Sequence, residues 1–327
     1  MSIRDDMVWF NNAVPKSGTV GIGDYLQNAL IGGGLIHSKD PHWWFVDPQS
    51  GSDAYDGDSW NAPFKTIQAA VDAAGDGRGD TIFLLSGRGY DYDDDTVGAS
   101  LANAYVYINK ADINLVGLGP PNSVVIKPDA AATAGVIALG ASAARVRIAN
   151  LTINTATAQS AAIVTSTGAS YPTVENCIFD LVGASGPLGY GINFGGAKVS
   201  YPVIRGCTFH LGTLIKAGIA LKAQDATPFG ALIEDCVFMN ALSASGTPCE
   251  DGINVMDGTG VIIRNCHISG GASTDYNLVD GIDIDASVLN TLIADCTIGN
   301  CDNGVTDGGT DTAGATAAEG WTDTTHA

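Results

Sequence analysis

From residue 146 onward, apolar and polar positions alternate in short runs that return at a nearly constant interval. The runs are Val146-Arg-Ile-Ala-Asn-Leu-Thr-Ile153, Pro172-Thr-Val-Glu-Asn-Cys-Ile-Phe179, Pro202-Val-Ile-Arg-Gly-Cys-Thr-Phe209, Ala231-Leu-Ile-Glu-Asp-Cys-Val-Phe238, Val261-Ile-Ile-Arg-Asn-Cys-His-Ile268 and Thr291-Leu-Ile-Ala-Asp-Cys-Thr-Ile298. Alternation with period two predicts half-buried strands. Ile263 points in and Arg264 out, and Cys266 and Ile268 point in again, so one residue must turn the chain between them. Asn265 suits that place because asparagine tolerates left-handed backbone, and every run carries Asn, Asp or Gly there. A second piece recurs upstream of each cysteine: Gly191-Ile-Asn-Phe194, Gly218-Ile-Ala-Leu221, Gly252-Ile-Asn-Val255 and Gly281-Ile-Asp-Ile284, fading at Gly304-Val305. The cysteines Cys177, Cys207, Cys236, Cys266 and Cys296 follow one another at 30, 29, 30 and 30 residues. Such a period predicts a solenoid. Each unit supplies about three short strands, and successive units stack in parallel at ~4.8 Å with like over like inside.

A different period occurs once. Pro63 to Ala74 reads as an amphipathic helix with Phe64, Ile67, Ala70 and Val71 on its apolar stripe and Gly75 as its stop. A stacked coil exposes unpaired strand edges at its ends, so this helix is expected to cap one of them. Strands are expected at Thr81–Leu85, Tyr105–Ile108, Ile113–Val116 and Val124–Ile126. The organisation that follows is an N-terminal attachment arm at 1–42, a cap helix with first strands at 43–123, rungs at 124–307 and a flexible tail at 308–327.

Composition agrees with a chain of strands and turns. Glycine fills 42 positions, and only Glu175, Glu234, Glu250 and Glu319 of the 35 acidic residues are glutamate, so long helices are disfavoured. The net charge of −20, with 15 Lys and Arg scattered along the chain, argues against a nucleic-acid partner. No apolar run approaches the ~20 residues of a membrane span, and the first ten residues lack a signal peptide's apolar core. Synthesis in a host cytoplasm is expected. The five spaced cysteines read as a structural ladder of buried, reduced thiols, with Cys249 and Cys301 outside it in loops.

The stretch Phe45-Val-Asp-Pro-Gln-Ser-Gly-Ser-Asp-Ala-Tyr-Asp-Gly57, followed by Pro63-Phe-Lys-Thr-Ile-Gln-Ala-Ala-Val71 and Thr81-Ile-Phe-Leu-Leu85, resembles the opening of the pectate-lyase-like β-helix proteins. These include bacteriophage tailspikes and other virion β-helices as well as polysaccharide lyases. The resemblance implies an all-β, right-handed parallel β-helix with an N-terminal amphipathic capping helix. It also implies a homotrimer and a place on a virion, with residues 1–42 holding other virion proteins. Trp9, Phe10, Tyr25, Leu26, Leu30, Ile31, Leu35 and Ile36 give that arm its apolar surface.

In that family, sugar chemistry occurs on the outer face of one parallel sheet. The outward places of the Gly-Ile strands form three expected rows: Tyr190, Ala217, Asp251 and Asp280; Asn193, Ala220, Asn254 and Asp283; and Lys222, Met256 and Asp285. Asp251, Asp280, Asp283 and Asp285 are the catalytic candidates, because two carboxylates ~5–9 Å apart are what glycoside hydrolysis needs. Asn254, Asp257 and Lys222 are the binding candidates, and Asp307 adds to the acidic group. Asp53, Asp56 and Asp58 in the Gly/Ser loop suggest Ca²⁺, although the spacing is not that of an EF-hand. The Asn-Thr-Asp and Gly-His-Gly elements of polygalacturonases are absent. Two readings stand: a structural or adhesive bacteriophage virion protein, spike, fibre or capsid decoration, that engages cell-surface polysaccharide; or a polysaccharide-degrading tailspike.

Overall fold

Each run of inward apolar residues pairs with its copy in the next unit, and the backbone follows them into three columns of parallel strands. The computed structural model describes residues 41–86, 92, 104–127, 135–155, 161–165, 169–181, 189–194, 199–212, 215–222, 230–240, 249–271, 278–310, 312–318 and 321–323. The expected arm lies outside them except for its last two residues.

Sheet 1 is built from the Gly-Ile pieces. Ala161–Thr165, Gly189–Phe194, Ile215–Lys222, Asp251–Thr259, Leu278–Ile284 and Cys301–Asp307 each pair in parallel with the next. The cysteine run folds as two strands separated by a turn. Its first halves, among them Thr173–Glu175, Val203–Arg205, Leu232–Glu234 and Ile262–Arg264, make sheet 2. Its second halves, among them Ile178–Asp180, Thr208–Leu211, Val237–Asn240 and His267–Ser269, make sheet 3. Sheets 2 and 3 meet in the continuous strand Leu292–Gly299. The turn residue before each cysteine is left-handed as its chemistry requires: φ is 57° at Asn150, 51° at Asn176, 60° at Gly206, 55° at Asp235, 50° at Asn265 and 54° at Asp295.

Inside, the columns are nearly homogeneous. Cys177, Cys207, Cys236, Cys266 and Cys296 are each at most 2% exposed, and all are free thiols. Phe179, Phe209 and Phe238 stack face to face, with centroids 4.6 Å apart and planes within 5°. This stack explains the glycine of each Gly-Ile strand, since a Cβ on Gly218 would come within 2.8 Å of both the Phe238 ring and the Gly252 carbonyl. The glycine thus takes an inward place next to an inward isoleucine, which shifts the strand by one residue and turns the preceding residue outward.

The N-terminal end is closed by the helix Ile67–Ala73, with Ile67, Ala70 and Val71 buried beneath it. Thr66 caps it by accepting the Ala69 N–H. Lys110 donates to the carbonyls of Val71, Asp72 and Ala74 at its other end. Three expectations change. The coil starts before residue 124, because Trp43–Val46, Thr81–Leu85 and Asn114–Leu118 already stack in line with Arg147–Ala149. It also continues into the expected flexible tail: Ala313–Ala318 pairs with Leu292–Gly299, and Trp321–Asp323 with Cys301–Asp307. The last rung would otherwise leave its ladder groups unpaired, and a run rich in small residues can cover them. Finally, Cys301 opens a strand and is not a loop residue, whereas Cys249 lies in the connection before Asp251–Thr259, as expected, but is fully buried in the core.

Neighbouring thiols and burial push Cys207, Cys236, Cys266 and Cys296 above the ordinary thiol range; for Cys236 the Cys207 thiol is the largest cause, and for Cys207 it is burial. Replacing Cys236 by Ala is therefore expected to cost roughly 1–2 kcal/mol, and replacing it by Asp several, since an unpaired carboxylate would be buried. Urea unfolding of the two variants measures the difference. Rapid reaction of the ladder thiols with a thiol reagent in the native state would contradict the packing.

Candidate functional site

The outer face of sheet 1 collects side chains that the sequence scatters over more than a hundred residues. The shift at each inward glycine sets two outward rows in register. The first runs Tyr190, Ala217, Asp251, Asp280 and Asn303, and the second Asn193, Ala220, Asn254, Asp283 and Thr306. On the two rungs where both rows carry Asp or Asn, the groups meet. The Asn254 side-chain N–H₂ donates to Asp251 Oδ2 at 2.6 Å and to Asp283 Oδ2 at 3.2 Å. Those two carboxylate oxygens therefore lie less than about 6 Å apart, one on each rung. On the far side, Asp280 Oδ1 accepts from Asn303 Nδ2 at 2.9 Å and from the Thr306 hydroxyl at 2.6 Å.

Electrostatics separates Asp251 and Asp283 from ordinary surface acids. Burial lifts Asp251 to about 7, with Asp283, Asp280 and Glu250 adding like charge and the Asn254 amide opposing the rise. Burial, then the charges of Asp280 and Asp285, lifts Asp283 to about 6. Tyr190 lies across Ala217 from Asp251 in the first row, and burial and the charges of Glu250 and Asp251 raise its phenol. Two adjacent acids that hold protons near neutrality are suited to exchange them with a bound molecule.

The remaining candidates part from this group. In the expected third row, Lys222 pairs with Asp257, not Met256, because the strand bulges after Leu221; the Lys222 side chain lies outside the described residues. Asp285 is exposed just beyond its strand and acts on the site through its charge on Asp283. Asp307 does not join the acidic face: it is 2% exposed and accepts the Gly309 N–H and the Thr312 hydroxyl at the end of the coil. Asp53 does not suit Ca²⁺. Its oxygens accept the N–H groups of Lys65 and Thr66 and the Thr66 hydroxyl at 2.8–2.9 Å, so it braces the start of the capping helix. Asp56 and Asp58 are exposed, and among the described residues no group of three or more His, Cys, Asp or Glu is placed to hold a metal ion. Arg205 and Arg264 lie on sheet 2, bound to Glu175 and Glu234. The sequence placed Asn254 in its row but gave no sign that its amide bridges two carboxylates, and Glu250 and Tyr190 gained a role only from the fold.

The family model described as right handed beta helix region matches residues 131–316. Among solved structures, a GH136 lacto-N-biosidase from Eubacterium ramulus superposes with a TM-score of 0.57 at 14% identity, over 86% of this chain and 57% of that one. A rhamnogalacturonan lyase gives 0.53 at 15% identity, over 81% and 74%. A pectate lyase gives 0.52 at 16% identity, over 86% and 68%. At these identities the likeness shows the fold alone. This chain thus spans little more than half of the lacto-N-biosidase. No curated protein matches the sequence.

The raised acids carry a stability signature. A folded-state pKa above the unfolded value near 3.8 means that the folded protein holds protons the unfolded chain has lost, so stability falls as pH rises from about 4 through 7. Asp251→Asn removes that penalty. It should stabilise the protein at pH 8, by at most about 4 kcal/mol, and change little at pH 4. Urea unfolding at the two pH values reads the difference; equal effects at both would show that Asp251 titrates normally.

Proposed function

The chain belongs to the right-handed β-helix family, and on that premise we propose that it binds a polysaccharide along the outer face of sheet 1 and hydrolyses it there. The observation that carries this reading is the bridge from Asn254 to Asp251 and Asp283, which holds two proton-retaining carboxyls on adjacent rungs. Asp251, the more strongly raised, keeps its proton near neutrality and donates it to the glycosidic oxygen. Asp283 ionises first and presents its carboxylate to the anomeric carbon. Their separation of less than about 6 Å fits the ~5–5.5 Å arrangement, in which the second carboxylate acts as nucleophile and gives a glycosyl-enzyme that water then cleaves with retained configuration, and excludes the wider inverting one.

Charge supports hydrolysis over lyase chemistry. A uronate polymer would bring its carboxylates against an acidic face on a chain of net charge −20, and the nearest arginines of the rungs are tied up on sheet 2. A neutral or amino glycan meets no such repulsion. We further propose that the protein works on a bacteriophage virion, as a trimer attached through residues 1–42. The resemblance of residues 45–87 and the apolar content of that arm support this setting. An adhesive role without cleavage is the second reading, favoured by the depth of Asp251, which is only 6% exposed.

Incubation with dextran, galactomannan, glycol chitin and polygalacturonate, followed by reducing-end and unsaturated-product assays, tests the proposal. Reducing ends without unsaturated products are expected from a neutral or amino glycan. Asp251→Asn and Asp283→Asn should each lower kcat by roughly 10²–10⁴. Binding without turnover would replace cleavage by adhesion. Unsaturated products, or full turnover in both variants, would overturn the mechanism.

A further inference from the structure

The corner between sheets 1 and 2 carries a second left-handed column that the repeat does not advertise. Arg145, Tyr171, Tyr201, Gly230, Gly260 and Asn290 occupy it, with φ of 54°, 57°, 53°, 48°, 74° and 55°. Glycine and asparagine accept this backbone readily, and a bulky aromatic residue does so at a cost. Tyr171 and Tyr201 also stand directly before Pro172 and Pro202, and a following proline ring restricts its predecessor further. The two rings lie outside the core and are 51% and 38% exposed. They stack on each other with centroids 5.2 Å apart and planes 10° from parallel. Tyr201 also lies over Gly230, where a Cβ would come within 2.6 Å of the ring. The neighbouring charge is neutralised, since Arg145 is paired with Asp112 through bonds of 2.6 and 2.8 Å.

Two strained residues that display rigid, amphipathic side chains on the surface point to binding more than to folding. Tyrosine offers a large apolar surface and a hydroxyl while having little rotamer freedom to lose. Those features match a sugar ring, which presents C–H groups and hydroxyls together and, when neutral, needs no charged partner. We propose that Tyr171 and Tyr201 form an aromatic subsite for a neutral glycan, continuous with the outer face of sheet 1. The tyrosines follow the sheet 1 strands Ala161–Thr165 and Gly189–Phe194, so they border the same face. Tyr201 lies two rungs from Asp251, about 10 Å along the axis at ~4.8 Å per rung. It also lies at the opposite end of the strand, since Gly260, which holds the Tyr201 corner on the Asp251 rung, is nine residues beyond Asp251. A chain of several sugars laid across the face reaches both. The subsite rests on the glycan reading above and not on cleavage.

The test uses Tyr171→Asn/Tyr201→Asn, because asparagine suits the left-handed backbone and leaves the coil folded. Affinity electrophoresis through gels containing dextran, galactomannan, glycol chitin or polygalacturonate measures binding, and urea unfolding measures stability. We expect at least one of the three uncharged polymers to retard the wild type. The double variant should bind it at least tenfold more weakly and raise KM without lowering kcat, with stability held or increased. Asp251→Asn should retain the tyrosine-dependent retardation. Equal binding by the double variant, or a preference for polygalacturonate, would overturn the subsite while leaving a glycan-directed protein. Retardation by none of the polymers would overturn both. Loss of stability without loss of binding would assign the tyrosines to folding and also overturn it.

Discussion

A side chain that points into a coil of about thirty residues meets the side chain at the same place one rung away and the inward side chains of the other two sheets. That constraint governs the molecule. It sets cysteine on cysteine from 177 to 296 and phenylalanine on phenylalanine at 179, 209 and 238. It also removes the side chain at Gly191, Gly218, Gly252 and Gly281, where a Cβ would strike the neighbouring ring or methyl group and the next rung's carbonyl. Parallel pairing at a fixed spacing makes each misfit propagate, so an inward position is narrowly specified. An outward position is free to vary, and that freedom is where chemistry can be placed.

The acidic face uses the freedom. The register that stacks Ile253 on Ile282 also stacks Asp251 on Asp280 and Asn254 on Asp283. Partial burial raises the proton affinity of Asp251 and Asp283, and like charges held at rung spacing by a backbone that cannot separate them raise it further. Asn254, placed between them with an amide that donates to both, orients the pair. The carboxylates on sheet 2 show the contrast. Glu175 is buried as well, yet the flanking Arg147 and Arg205 overcome the effect of burial and hold it below the usual range. One scaffold gives one sheet a compensated charge ladder and another an uncompensated one.

The alternation around each cysteine and the thirty-residue interval made the coil legible before any coordinates, and with it the inward residues and the left-handed Asn, Asp or Gly at the turn. Both Asp rows were legible for the same reason, since register follows from aligning the Gly-Ile pieces. The third row was not, because the extra residue at Met256 leaves no mark in a pattern of polar positions. Asp53 looked like a cation ligand because a Gly/Ser/Asp loop reads alike whether its carboxylate serves an ion or a helix start. The tyrosine corner had a signal, the repeated Ser-Tyr-Pro at 170–172 and 200–202, but left-handed backbone is not expected before proline. The strand Ala313–Ala318 was hidden by its composition of Ala, Thr and Gly, which carries no alternation of large apolar and polar positions.

Titration of the aspartate carboxyls by carbon NMR, with Asp251 and Asp283 assigned from their Asn variants, measures directly whether the rungs hold the two acids together. Two carboxyl resonances titrating near 6 and 7 are expected, each shifting when the other residue is replaced. If both titrate independently near 4, the carboxylates stand apart in water and the face is an ordinary solvated surface.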